Sequence, residues 1–361
     1  MTPSDASFPA NRVAASSGDP LHESVTARRE GDELSGRREP DVGRMLEWLR
    51  SAATDADGSV RSWVNPEHPG YPYPEAAGLL LTLLAAVEPR PSPVREAIAR
   101  RLQQDISPRG AVGRGGLEYA FDTAMALHGL HAHAQAGGRA QLEALDQLHG
   151  FIADRVAARS ALGAAARPPE PRWSTSWGCH LIKLNLAIET YDGATGRGRA
   201  DELIEQLLAS LLPLARGGRF VIHAGSELTY LHASCYALEG LTRLHRRGHP
   251  DVAAPLVAGA RWLAAIQDGD GSLPAWHDGA RGSGPRPADI VAQSVRLWAI
   301  VDPERYAASI ARGLDYLASL QTPAGGLRYH PGSADVNTWS TIFAAQATLW
   351  ARRGASLETL A

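Results

Sequence analysis

The sequence predicts an all-α protein, an (α/α)6 toroid in which six helical hairpins close into a ring. Three observations carry that reading. Helical segments of two kinds alternate along the chain, one amphipathic and one apolar nearly all round. The apolar kind returns at intervals of about fifty residues, the mark of a repeat architecture. The connections leading into the apolar segments are long and Gly-rich, and those leading out are usually shorter.

Taken in order, residues 1–40 are rich in Ser, Asp, Glu, Arg and Gly and have no apolar stretch. They read as a disordered tail, neither a signal peptide nor an anchor, and residues 41–361 read as the toroid domain. The amphipathic segments are 42–50, 94–104, 142–156, 200–214, 253–267 and 306–321. Each carries Leu, Ile or Val at three- and four-residue spacing with Arg, Glu, Asp or Gln between, which gives a helix one wet face. The apolar segments are 75–87, 119–134, 177–191, 230–244, 290–300 and 339–350. A helix without a wet face is buried, and the dominance of Ala and Leu over β-branched residues favours helix over buried strand. The order is therefore outer, inner, outer, inner, six times. A hairpin that cannot bury its own apolar face must stack on its neighbours, and six of them close a ring with inner helices along the axis.

The long connections share a pattern. Asp57-Gly58-Ser59-Val60 precedes Trp63, and Asp270-Gly271-Ser272-Leu273 precedes Trp276 at the same spacing. Gln104, Gln267 and Gln321 each end an outer helix before such a loop. Elaborated loops gathered at one end of a rigid scaffold are where function concentrates.

Composition narrows the functional classes. Of 361 residues 44% are apolar and 21% charged, a normal globular balance that allows a large core. The formal net charge of -3 offers no basic excess for nucleic acid, and no Lys/Arg run suits a membrane surface. The longest apolar runs, such as 78–87, are too short to span a bilayer. Two cysteines make no disulfide framework, which fits a reducing cytoplasm. There is no Gly-rich phosphate loop and no nicotinamide fingerprint. Asp268-Gly269-Asp270-Gly271 lacks the later ligands of a calcium loop and reads as a turn. His128, His131 and His133 fall at the far end of an inner helix and read as surface or packing residues. The expected partner is a small-molecule substrate, with no nucleic acid, no membrane and no cofactor. The sequence assigns no oligomeric state.

The stretch Arg261-Trp262-Leu263-Ala264-Ala265-Ile266-Gln267, running through Gly271 to Trp276, resembles the Gln-Trp repeat of squalene cyclases and their relatives. Residues 317–327 form a weaker copy without the tryptophan. Residues 41–352 as a whole resemble the α/α-toroid superfamily of terpenoid cyclases, protein prenyltransferase β subunits, lanthionine cyclases and six-hairpin glycosidases. Asp122-Thr123-Ala124-Met125-Ala126-Leu127 is similar to the segment that follows the Asp-x-Asp-Asp acid cluster of class II terpene cyclases. Tyr119, Ala120, Phe121 and Asp122 occupy the cluster itself. Phe121 stands where the resemblance would put the protonating aspartate, and no aspartate-rich diphosphate site accompanies it. The resemblance therefore implies the architecture and not isoprenoid diphosphate chemistry. Phe121-Asp122-Thr123 and Tyr236-Ala237-Leu238-Glu239-Gly240-Leu241 also resemble bacterial toroid proteins associated with polysaccharides.

In such a barrel the site is expected where long loops meet inner-helix N-termini. Five of the nine tryptophans fall in that band, Trp173 among them. The expected catalytic groups are Glu118, Asp122, His180, Glu227, Tyr230 and His232. Histidine titrates near neutral pH, and a half-buried carboxylate can be raised into the same range, so a split pair supplies acid and base. The expected substrate-binding groups are Trp63, Tyr73, Trp177, Trp276, His277, Asp289 and Trp339, aromatic faces and polar groups of a concave site. Glu75 and Asp122 also read as first-turn charges at helix N-termini. Cys179, His180, His232 and Cys235 could form a tetrahedral zinc site. Lanthionine cyclases place a Cys-His pair in the toroid mouth, but their order and flanking glycines differ, and the expected chemistry is metal-independent. The leading functional reading is an acid–base enzyme, a cyclase, lyase or isomerase acting on a bulky oxygenated metabolite. The alternatives are a carbohydrate-active enzyme (hydrolase, lyase or epimerase) and a non-catalytic ligand-binding toroid.

Overall fold

The computed structural model describes residues 38–162, 177–197 and 199–361. The described barrel unit begins at Arg38, so most of the expected tail, residues 1–37, lies outside the described residues. Residues 38–40 already touch the barrel: the Arg38 amide donates to Asp315 (3.1 Å) and Arg352 donates to Glu39 (2.8 Å).

Six outer helices are α1 (Val42–Ser51), α3 (Pro93–Gln104), α5 (Leu142–Leu162), α7 (Ala200–Leu211), α9 (Ala253–Ile266) and α11 (Ala307–Leu320). Six inner helices are α2 (Pro74–Val87), α4 (Ala120–Gln135), α6 (Leu184–Thr195), α8 (Leu231–Arg246), α10 (Ala288–Val301) and α12 (Thr338–Arg353). The two kinds differ as the sequence predicts. In α1 the buried residues are Val42, Met45, Trp48 and Leu49, one stripe, and Asp41 caps the helix by accepting from the Arg44 amide. In α2 every residue from Pro74 through Leu84 is buried. Two predicted helices end differently. The third inner segment opens with a 3-10 turn, Cys179–Lys183, before α6. The fourth outer helix stops at Leu211 and tightens into a 3-10 turn over Leu212–Leu214, because Pro213 has no amide hydrogen to continue the ladder.

The inner helices pack in sequence around the axis, and α12 packs back against α2. The seam between first and last hairpins is stitched. Strand β1 (Trp63–Val64) pairs antiparallel with β10 (Val336–Asn337), which pairs with β9 (Leu327–Arg328). Asn65 donates to Asp335 (2.8 Å), and the Thr338 amide donates to Ser62 O (3.1 Å).

Two devices repeat around the ring. The glutamine after an outer helix ties its own loop to the next hairpin. Gln267 Nε2 donates to Gly271 O and to Ser309 O, each at 3.1 Å. Gln321 Nε2 donates to Gly325 O and, across the seam, to Asp41 O, each at 2.9 Å. The second device is a positive-φ glycine pressed against the backbone of the next outer helix. A Cβ on Gly58 would meet Ala97 O at 2.2 Å, one on Gly271 would meet Arg312 O at 2.1 Å, and one on Gly325 would meet Arg44 O at 2.2 Å. Gly110 and Gly218 repeat the contact on Gln147 and Ala258. Only a residue without a side chain fits, so these glycines set the hairpin spacing. The Asp268–Gly271 segment is the predicted turn: the Gly271 amide donates to Asp268 O (2.9 Å), and Asp270 accepts from the Ser272 amide (2.9 Å).

Candidate functional site

The site follows from one register. The second residue of each inner helix is Glu75, Phe121, His180 (in the 3-10 turn), His232, Asp289 and Trp339. All six line a cavity of about 310 Å³ at the N-terminal ends of the inner helices. Asp122, next after Phe121, lines it too. The long loops complete the wall. They bring Trp63, Tyr71 and Tyr73 from the first hairpin, Arg114 and Tyr119 from the second, and Tyr329, Asp335 and Asn337 from the sixth. Tyr236, one turn deeper on α8, forms part of the floor.

The aromatic wall is continuous on two sides. Trp63 packs edge-on to Tyr71 (5.1 Å between ring centroids), Tyr71 lies 5.8 Å from Tyr73, and Tyr73 lies 5.1 Å from Trp339. Opposite, Phe121 sits 5.4 Å from His180 and 4.7 Å from Tyr236, and Tyr236 sits 4.4 Å from His232. Beneath Tyr236 is a buried ion cluster. Lys183 Nζ lies 4.5 Å from the Tyr236 ring and donates to Glu239 (2.9 Å), which also pairs with Arg296. Burial holds the Lys183 ammonium down to about 8.

Two carboxyls define the chemistry. Glu75 is buried, and its Oε1 accepts from Tyr236 OH (2.9 Å) and Trp339 Nε1 (3.0 Å). Burial raises its pKa, against the opposing pull of His232, those two donors and Lys183. Asp122 is buried as well, and its Oδ2 has no hydrogen-bond partner among the described residues. Burial and then the neighbouring Glu75 push Asp122 well above the ordinary carboxyl range, with Arg114 opposing. The pair is unequal: two side-chain donors, Tyr236 and Trp339, serve Glu75, whereas Asp122 is opposed in its rise by Arg114 and a backbone amide alone. Burial and mutual repulsion both favour a proton held on the pair, and the rise is the larger at Asp122.

The histidine has a different partner. His232 Nδ1 lies 3.0 Å from Asp289 Oδ2, an ion-pair distance, and Asp289 Oδ1 accepts from the Ile290 amide (2.8 Å). A carboxylate on one ring nitrogen fixes the orientation of the ring and which nitrogen faces the cavity. The cavity thus holds a neutral acid and a carboxylate-backed histidine.

The structure gathers Asp122, His180 and His232 of the expected catalytic groups, and Trp63, Tyr73, Asp289 and Trp339 of the expected binding groups. It places the others elsewhere. Glu118 sits on the hairpin of β2 (Gly113–Arg114) and β3 (Leu117–Glu118), bound to Ser107 (2.6 Å) and Arg109 (2.7 Å), which hold its pKa down. It is tied to its own loop and does not line the cavity. Glu227 is exposed on the loop before β6 (Thr229–Tyr230), and its backbone oxygen accepts from Arg219 (2.9 Å). Tyr230 stands one layer back, its hydroxyl 3.4 Å from that of Tyr329. Trp276, on β7 (Trp276–His277), packs behind Tyr230 at 4.7 Å. His277 is buried beside Trp262 and accepts from the Gly279 amide (2.9 Å). Trp177 turns outward and donates to Ser210 on α7 (3.3 Å). Trp173 lies outside the described residues.

The four zinc candidates are divided. His180 and His232 face the cavity, whereas Cys179 and Cys235 are packed in the core, where burial raises both thiols. Among the described residues no three His, Cys, Asp or Glu stand close enough to hold a metal ion. His133 is a buried packing residue bonded to Arg95 (3.0 Å). His128 and His131 line a second cavity, about 490 Å³, at the opposite ends of the inner helices, walled by alanines together with polar groups such as Thr190, Glu189 and Arg243. Among the described residues no helix is long and apolar enough to cross a membrane.

Arg114 escaped sequence reasoning altogether, Tyr236 entered only within a phrase like those of other toroid proteins, and Glu75 was weighed as a first-turn charge as readily as a catalytic group. One signal could have found Glu75: once His232, Asp289 and Trp339 are aligned as second residues, Glu75 occupies the same place.

No protein-family model matches the chain, and no curated protein matches it. Solved structures do. A glycosyl hydrolase of family 88 from Bacteroides vulgatus aligns with a TM-score of 0.64 at 8% identity, covering 86% of this chain and 97% of the other. A polysaccharide lyase aligns at 0.61 and 12% identity, over 86% of this chain and 96% of the other. The ent-copalyl diphosphate synthase from Streptomyces platensis aligns at 0.53 and 22% identity, over 80% of this chain and 52% of the other. At such identities the likeness is one of fold, and by fold the chain is an α/α toroid.

Proposed function

We propose that the protein is an enzyme that starts its reaction by proton transfer from Asp122 to a small oxygenated metabolite. The observation that carries this reading is the unequal Glu75–Asp122 pair. A carboxyl kept neutral by burial and a like-charged neighbour is a general acid at neutral pH. Protonation of an alkene, an enol ether or a leaving oxygen places positive charge on the substrate. The Glu75 carboxylate and the aromatic faces stabilise that charge. His232, backed by Asp289, then removes a proton to complete an elimination, isomerisation or ring closure. A cyclase, lyase or isomerase follows, and no step in it calls for a metal. The cavity volume lies at the low end of the range for small-molecule sites, so a compact substrate is expected.

The test is proton exchange. A panel of unsaturated and cyclic oxygenated metabolites is incubated with the protein in deuterated water and read by NMR for deuterium uptake or product. Asp122→Asn should cut the rate by about 10²–10⁴ with the fold intact, the usual worth of general acid catalysis. Full activity in that variant would sink the assignment.

A second reading has its own support. Structural neighbours are named as a glycosyl hydrolase and a polysaccharide lyase, and Trp63 and Trp339 offer faces for sugar rings. Two carboxyls flanking a bond also serve glycoside hydrolysis. New reducing ends released from a glycan panel would favour it over cyclisation.

A further inference from the structure

Arg114 is the cation that the proposed chemistry leaves unused. It sits on the β2–β3 hairpin, whose tip is Gly115-Gly116, both at positive φ (61° and 78°), a tight turn that only glycines make cheaply. The hairpin carries Arg114 to the cavity mouth, half-buried. Its guanidinium lies over the Tyr71 ring at 4.1 Å and within 5.8 Å of the Tyr73 ring. Stacking fixes the plane of the group and leaves its N–H fork at the edges. Among the described residues no carboxylate stands within ion-pair distance of it and no hydrogen bond uses it. The acid of its own hairpin, Glu118, is taken by Ser107 and Arg109.

We infer that the substrate carries a carboxylate and that Arg114 holds it at the cavity mouth. The inference rests on the cavity being the substrate site proposed above, but it does not depend on Asp122 being the acid. Three features select a carboxylate. A stacked guanidinium presents two parallel N–H groups, which match a planar carboxylate in bidentate fashion. The aromatic wall beside it takes an apolar ring. The same cavity holds four acids, Glu75, Asp122, Asp289 and Asp335, against this single arginine. A phosphate or diphosphate, with more charge and no second arginine, would meet like-charge repulsion. Arg114 is thus placed to orient the substrate, with the reacting bond directed inward toward Asp122 and His232.

The test is binding rather than turnover. Cyclohexanecarboxylate, cyclohexylmethanol and inorganic phosphate are titrated at pH 7 and followed by ligand NMR. The carboxylate should bind about tenfold or more tighter than the alcohol, as a charge-assisted pair predicts. Arg114→Gln should remove that preference, and Arg114→Lys should keep part of it, having the charge without the fork. Asp122→Asn should keep the preference, so a wrong acid assignment and a wrong anchor give different results. Thermal unfolding of each variant confirms that it is folded. Absence of carboxylate binding, equal affinities in the wild type, or a preference that survives in Arg114→Gln would overturn the inference. Phosphate binding more tightly than the carboxylate would overturn it as well.

Discussion

Gly325→Ala tests the ring closure that sets Trp63 beside Asn337 and Trp339. Gly325 has φ +109°, a region that residues with a Cβ avoid. Holding alanine there costs about 1–3 kcal/mol. The new methyl would also meet Arg44 O at 2.2 Å, a backbone atom that cannot swing away. Displacing α1 to relieve that contact adds about 1–3 kcal/mol, the usual toll of overpacking. The sum, about 2–6 kcal/mol, is a large part of the roughly 5–15 kcal/mol that hold a domain folded. Gly354→Ala is the control: its φ is +86°, but nothing lies within 4 Å of the added carbon. It should cost only the backbone part, about 1–3 kcal/mol. Urea unfolding followed by tryptophan fluorescence reads both, provided the slope with denaturant is unchanged. If Gly325→Ala costs no more than Gly354→Ala, the close approach to α1 does not hold the seam.

Asp122 makes stability pH-dependent. Its folded pKa is raised above the ordinary 3.8, so its contribution is complete below that value and is lost as pH rises through the folded pKa. Asp122→Asn should therefore gain stability relative to the wild type between pH 4 and pH 7, as thermal midpoints at the two pH values will show. Tyr236→Phe removes a donor from Glu75 and should raise the Glu75 pKa further, moving the matching limb of the pH–rate profile upward; an unmoved limb would remove Glu75 from the mechanism. Lys183→Met leaves Glu239 with Arg296 alone in a buried site and should cost about 3–5 kcal/mol by urea unfolding. Gly150→Ala, on the exposed face of α5 with open space around it, should add about 0.5–1 kcal/mol in the same assay.

The helices were legible because burial leaves a periodic trace. Leu, Ile and Val at helical spacing in 253–267, and the nearly all-apolar run of 76–87, report which face meets water, and that depends on neighbours in the chain. The site was legible where a residue's place depends on the same register: His232, Asp289 and Trp339 are fixed by where their helices begin. It was illegible where a loop decides. Glu118 and Arg114 sit four residues apart on one hairpin, and only the turn at Gly115-Gly116, with Arg109 waiting on the preceding loop, settles which of them reaches the cavity. Glu227 is likewise placed by a loop, the exposed one before β6. Tyr236 was hidden differently: its role depends on meeting Glu75 from a helix three hairpins away, and no local pattern encodes that contact.

The carboxyls also show what the repeat supplies and what it leaves to each hairpin. Glu75, Asp122 and Asp289 all lie in the first turn of an inner helix, where the macrodipole favours a negative charge by about 0.3–1 kcal/mol, or up to ~2 kcal/mol when partly buried. At Glu75 and Asp122 that effect alone would lower the pKa. Glu75 and Asp122 rise instead, so burial outweighs the dipole at both, with mutual repulsion adding to it at Asp122. Partners then separate the three. Asp289 has an imidazole, Glu75 has two neutral donors, and Asp122 Oδ2 has none. The scaffold therefore delivers six side chains to one cavity by a single geometric rule. The difference between an acid, a charge stabiliser and the support of a base comes from the groups that neighbouring hairpins place against each carboxyl.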